Sequence, residues 1–287
     1  MSPIADFILA VIFLLLAGSI VLGLITWKWI STRPSNTITP HEAGCLWGLG
    51  DVVAVFVLGA WITVVLLAPD MATTGHWKDG KLFLPPGALA RMVLVQNLVL
   101  ALTCFLWLWL RYRVGMESLR IIDHQWKRRC IVGLKAGIAI WLLAEIAVRI
   151  THAATLFLFG PEMLQLLRSM ESSTTLLKHS LSAISAGGVI VFIVIVGVVA
   201  PFVEEALFRG FTYPAMRARW GRRWGILLSS AFFAAAHLTV LDFPALCLVG
   251  IMLAWLYEET GSLVAPFTAH AINNVLTVVT LAWFGKT

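Results

Sequence analysis

Eight apolar runs, 15 to 29 residues long and poor in charge, limit what this 287-residue chain can become. They lie at about 4–27, 48–69, 88–110, 131–159, 184–208, 224–240, 244–258 and 262–284. A helix crosses the hydrocarbon layer with about 20 apolar residues, whereas membrane barrels show about ten-residue segments of alternating polarity. The runs here are long and unbroken, so helices are expected. Composition agrees: 60% of the residues are hydrophobic and 13% charged, against about 45–50% and about 25% in soluble domains. The reading is an all-α fold, a polytopic transmembrane helical bundle of about eight spans. The sixth and seventh runs are separated only by Leu241, Asp242 and Phe243, with Pro244 opening the next helix, which predicts a tight hairpin. The seventh run is short, which invites tilt or partial burial.

Basic residues set the orientation. Of the 21 Lys and Arg, 14 fall at Lys28, Arg33, in 111–135 and in 209–223, and five fall in the opposite segments 70–91 and 161–182. The excess puts 111–135 and 209–223 on the cytoplasmic side and both termini outside. The stretch 111–130 suits either an amphipathic interfacial helix or a solvated loop. Segment 70–87 reads as an ordinary outer connection. The net charge of +6 calls for no nucleic-acid partner, and the 13 tryptophans suit interfacial anchoring in membrane lipid. Cys45, Cys104, Cys130 and Cys247 are scattered without a CxxC pair, so reduced packing residues are expected. Residues 4–27 lack a basic start and read as a retained helix.

Three motifs place polar groups inside the apolar C-terminal third: Glu204-Glu205-x-x-x-Arg209, Phe233-x-x-x-His237 and His270-x-x-x-Asn274. An ionisable group at membrane depth costs about 2.5–3.5 kcal/mol on insertion scales and marks a candidate functional site. Glu205 and Arg209 form a favourable i, i+4 pair, with a structural or a direct role equally open. Glu204 points about 100° away from Glu205 and has no base at i±3 or i±4. Its available partners are His237 and His270. Phe233 and His237 share one face, as do His270 and Asn274, whose amide can aim an N–H at a developing oxyanion. Asn273 is expected to face elsewhere and to cap or pack. At about 1.5 Å per residue from the cytoplasmic ends, His237 lies about 20 Å and His270 about 12 Å deep, so all three polar groups can meet.

In order and spacing these motifs resemble those of the CAAX protease and bacteriocin-processing (CPBP, or Abi) intramembrane proteases. The resemblance covers about 184–284 and divides the chain into 1–183, helices of unassigned role, and 184–287, a catalytic membrane core built on the last four spans. It implies an intramembrane endopeptidase with its site open to the cytoplasm. Its substrate would be a peptide or protein tail at the cytoplasmic leaflet, prenylated CAAX tails included. Glu204 would activate water with help from His237, and His270 and Asn274 would stabilise the oxyanion. Glu205, Arg209 and Phe233 would support the site. No cofactor is expected; the alternative is zinc on Glu204, His237 and His270, although HExxH is absent. The apolar composition and plain loops suit a bacterial inner membrane.

Other readings are weaker. Gly48-Leu-Gly50-Asp51 superficially matches a GxGD aspartyl site, but the aspartates available to pair with it, Asp70 and Asp242, are expected in loops. Asp51 therefore reads as a helix-start or interface residue. Ser229 and Ser230 lie two turns from His237 without a GxSxG. Glu145 and Arg149 read first as an internal ion pair and second as a cavity wall. The alternative from a different class is a non-catalytic membrane immunity or scaffold protein. Intramembrane Glu and His also occur in proton-coupled transporters, but no inverted repeat is evident.

Overall fold

The computed structural model describes residues 45–74, 76–78, 81–83, 85–115, 124–170 and 186–284, with Gly18, Leu24 and Lys28 as isolated helical positions. The span expected at 4–27 lies outside the described residues apart from Gly18 and Leu24, and the 111–130 question lies partly outside them.

Helix α1 (Leu49–Thr74) and helix α2 (Pro86–Tyr112) form an antiparallel pair. The expected plain connection between them contains a small hairpin instead, β1 (His76–Lys78) against β2 (Lys81–Phe83), with Trp77 opposite Leu82. The far end of the pair is fixed by Asp51. Its carboxylate accepts the Gly48 N–H at 2.9 Å, which makes it a helix-start residue as read. It also accepts Trp107 Nε1 at 3.0 Å and the Tyr112 hydroxyl at 2.7 Å, and pairs with Arg111 Nε at 3.0 Å. Its three side-chain partners all come from the end of α2, so Asp51 is a buried junction and not half of a catalytic dyad.

Helix α3 (Trp126–Met170) breaks at Gly160, whose φ of 80° and ψ of 174° suit a residue without Cβ. Arg168 comes within 3.5 Å of His152 across the break, a separation that a straight helix would stretch to about 24 Å, so the chain folds back. The expected 161–182 loop is thus helical as far as Met170.

The next helical stretch is α4 (Ala186–Val194), a π turn (Ile195–Val199), α5 (Ala200–Glu205), a second π turn (Ala206–Thr212) and α6 (Tyr213–Ala236). Each π turn ends just before a proline at the start of the next helix, Pro201 or Pro214. Proline lacks an N–H and crowds the carbonyl four residues earlier, and a wider turn relieves both. Helix α6 breaks at Gly221 (φ 79°, ψ 175°), after which the chain doubles back. A Cβ at Gly225 would lie 2.9 Å from Arg217 Cα, and the Phe208 ring packs on Phe232 and Phe233 at 5.8 and 5.1 Å. The expected cytoplasmic loop 209–223 is therefore two helix ends meeting at one glycine, and Arg209 is buried instead of belonging to the surface.

Helices α7 (Phe243–Thr260) and α8 (Val264–Phe284) complete the bundle. Helix α6 stops at Ala236, four residues before the expected 240, so the α6–α7 connection is longer than the three-residue hairpin predicted. Gly133 and Gly137 of α3, one turn apart, bring α8 unusually close. A Cβ at Gly137 would meet the Ala269 carbonyl at 2.7 Å and Ile272 Cβ at 2.8 Å. Small residues one turn apart allow this approach in membrane bundles. The core gathers Phe211, Phe233, Leu253, Ala265 and Ala269, where the second π turn, α6, α7 and α8 meet.

Six helical stretches are long and apolar enough to cross a membrane, among them 187–236, which holds both arms of the Gly221 reversal. The count of eight is not reached among the described residues. Phe157, Leu158 and Phe159 stand 87%, 66% and 65% exposed, a surface that suits lipid and not water. The protein is an integral membrane protein, and its described residues are helices with one minor hairpin.

Candidate active site

The second π turn and α5 carry Glu204, Glu205 and Arg209; α6 carries Phe233, and His237 follows its last residue, Ala236; α8 carries His270, Asn273 and Asn274. Most of these groups wall one cavity of about 400 Å³, closed on the other side by Trp141 and Glu145 of α3 and by Thr239.

Glu205 is fully buried. Its Oε1 accepts Arg209 Nη1 at 2.9 Å and faces His270 Nδ1 at 2.8 Å. Arg209 donates its other terminal nitrogen to the Gly250 carbonyl at 3.2 Å and lies 4.6 Å from the centre of the Phe233 ring. The i, i+4 pair predicted from sequence is thus an interior one, and its carboxylate also orients an imidazole. Phe233 meets His237 edge to face at 4.6 Å and His270 at 5.7 Å, so one ring spaces both imidazoles and the guanidinium.

His237 does not sit within a helix as expected but just past its end. Leu238 takes a φ of 54°, and His237 Nδ1 lies 2.8 Å from the Phe233 carbonyl, one of the last acceptors of α6. Both imidazoles therefore commit Nδ1 and turn Nε2 inward. The Nε2 atoms of His237 and His270 lie 4.0 and 3.7 Å from Glu204 Oε2, which is buried and accepts no hydrogen bond from the protein. Glu204 thus meets the two partners that its sequence position left for it.

Asn274 Nδ2 donates to the Val196 carbonyl at 3.0 Å. This acceptor is free for a specific reason. In the first π turn the Ala200 N–H goes to Ile195, and the N–H that would next reach Val196 belongs to Pro201 and does not exist. One N–H of Asn274 therefore anchors α8 to the carboxylate helix, and the amide retains a second. Asn273, expected to face elsewhere, lies on the cavity wall and donates Nδ2 to Asn274 Oδ1 at 3.1 Å. It is three residues from His270, and i, i+3 neighbours share a helix face, so the spacing itself carried this signal.

Of the remaining sequence candidates, Glu145 lines the cavity, and its partner Arg149 is 80% exposed at 3.8 Å, so the pair is no internal stitch. The Ser229 and Ser230 hydroxyls both donate to the Ile226 carbonyl, at 3.2 and 2.7 Å, which commits them to their own helix. The four cysteines are free thiols, and burial pushes Cys45 up to about 11, well away from thiolate chemistry.

A tetrahedral zinc with 2.0–2.1 Å bonds sets its ligand atoms about 3.3 Å apart. The separations of 3.7 and 4.0 Å exceed that edge, and among the described residues no three His, Cys, Asp or Glu side chains are disposed to hold a metal ion. As arranged, the donor set does not fit zinc.

Residues 186–276 match the family described as type II CAAX prenyl endopeptidase Rce1-like. Over this segment the chain is similar to the CAAX proteases. This CAAX protease segment begins with α4 and ends inside α8, and it includes every motif residue named above. Helices α1–α3 lie outside it, although α3 supplies a wall of the cavity. No curated protein and no solved structure matches the chain. A CAAX protease core implies a CAAX protease-like peptidase working within the membrane.

Proposed function

We propose that the protein is an intramembrane endopeptidase that hydrolyses a peptide bond by glutamate-activated water. The observation that carries this reading is the gap at Glu204. Its Oε2 stands 3.7 and 4.0 Å from two inward-turned Nε2 atoms, too far for direct bonds and suited to one bridging water. Glu204 takes a proton from that water as hydroxide adds to the scissile carbonyl. His237 Nε2, with Nδ1–H given to the Phe233 carbonyl, orients the water through its lone pair. The oxyanion receives the second N–H of Asn274 and, in its imidazolium form, Nε2–H of His270. Glu204 then returns the proton to the departing amine as the C–N bond breaks. Glu205 holds the His270 ring and Arg209 holds Glu205.

The substrate class is a membrane-associated peptide or protein tail at the cytoplasmic leaflet, with prenylated CAAX tails as the form that the family core suggests. The host membrane is a bacterial inner membrane, and the protein needs no metal. Peptide termini compared in membranes holding wild type or Glu204→Ala, at matched folded levels, test the reading. New termini are expected with wild type alone. Identical termini would point to a non-catalytic immunity or scaffold role.

A further inference from the structure

Four buried polar atoms facing or lining the cavity have no hydrogen-bond partner in the protein: Glu204 Oε2, Asn273 Oδ1, Trp141 Nε1 and Thr239 Oγ1. Folded proteins leave few such atoms, and a cluster of them around one cavity calls for a ligand that satisfies them. Glu204 Oε2 has its role in the chemistry above. The other three come from three separate elements, α8, α3 and the α6–α7 connection, and the mechanism uses none of them.

Their polarity is fixed. Asn274 Nδ2 is held by the Val196 carbonyl, so Asn274 turns its oxygen to Asn273. Asn273 must therefore give its Nδ2 to that oxygen, which leaves Oδ1 as a pure acceptor. Trp141 Nε1–H is a pure donor, and the Thr239 hydroxyl serves as either. An extended peptide entering a dry cavity loses water from its own N–H and C=O groups, and each needs a new partner. The cavity walls are helices and a turn, with no sheet edge to supply one.

We propose that Asn273, Trp141 and Thr239 form a main-chain cradle that holds the substrate strand beside Glu204. Asn273 Oδ1 accepts a substrate N–H and Trp141 Nε1–H donates to a substrate carbonyl. Thr239 takes a further main-chain group. The cradle reads backbone and not side chains, so it orients many sequences alike. The inference rests on the peptidase reading, in that it needs a peptide in this cavity.

The test measures binding apart from turnover. The probe is a dye-labelled ten-residue peptide ending in a farnesylated Cys-aliphatic-aliphatic-Met tail, titrated by anisotropy against Glu204→Ala protein in nanodiscs. Adding Trp141→Phe or Asn273→Leu is expected to weaken Kd about five- to tenfold, the size of one net hydrogen bond. Peptides with single amides replaced by esters provide a second measure that needs no new fold. One ester position should weaken binding to the Glu204→Ala protein and leave binding to the Asn273→Leu double variant unchanged. Equal ester losses in both proteins, unchanged Kd in folded variants, or no binding of the probe would each overturn the cradle. Cleavage by wild type with unchanged variant Kd removes the cradle and keeps the peptidase. Cradle-dependent binding without wild-type cleavage does the reverse.

Discussion

At the scale of single residues, the site is a set of charges made tolerable by one another. Arg209 and Glu205 are 2% and 1% exposed at the side chain, so neither has water to fall back on. Removing one partner of such a pair strands the other. Arg209→Ala is expected to cost about 3–5 kcal/mol and to remove most folded protein, read by thermal unfolding in detergent. Full stability with lost cleavage would instead assign the guanidinium a direct part in the reaction. Donor spacing supplies a second expectation. With Glu204 farther from both imidazoles than a zinc shell allows, cleavage should survive exhaustive chelation. Loss of activity restored by added zinc would reverse that reading. Sequence alone made Glu204, His237 and His270 legible, because an unpaired charge in an apolar run demands a partner from another helix. It concealed the exit of His237 from its helix, which depends on Leu238 adopting a left-handed backbone that nothing in its side chain favours.

At the scale of elements, α8 is placed by two devices, the Asn274–Val196 bond and the glycine face of α3. The residue Ala269 under Gly137 immediately precedes His270, so the seam and the imidazole move together. Gly137→Leu is expected to displace α8 by more than an ångström and to lower kcat/KM about 10²-fold, the penalty for such misplacement. Gly137→Ala should fall between, since the Ala269 carbonyl, 2.7 Å from the new Cβ, is backbone and cannot swing aside. An unchanged rate in Gly137→Leu would detach the seam from the site. The boundaries of most helices followed from apolar runs. The form of the reversals at Gly160 and Gly221 did not, because the gaps between runs read as loops while the backbone turns back at one glycine between helix ends.

For the molecule as a whole, the Gly221 reversal converts an expected basic loop into a rim. Arg217 and Arg222 reach Glu258, and Arg222 also meets Glu259, tying this rim to the end of α7. Arg219 is exposed there. With that rim in the cytoplasm, Arg219→Cys should react with a membrane-impermeant maleimide only from the cytoplasmic side. Labelling from the outer side would invert the bundle and the leaflet from which substrate arrives. Outside the matched segment, α3 contributes Trp141 and Glu145 to the cavity, so this helix walls the same chamber as the motif residues.

The first π turn also sets a rule about chain length. A π turn is an α-helix with one residue too many, and that extra residue is absorbed between Ile195 and Val199. Deleting a single residue there would restore ordinary winding and leave Glu204 in phase, because that turn already holds the surplus residue. The helix that carries the carboxylates can therefore give up its surplus residue inside the π turn, whereas a residue lost from the ordinary winding between Ala200 and Glu204 would swing the carboxylates about 100° from both imidazoles.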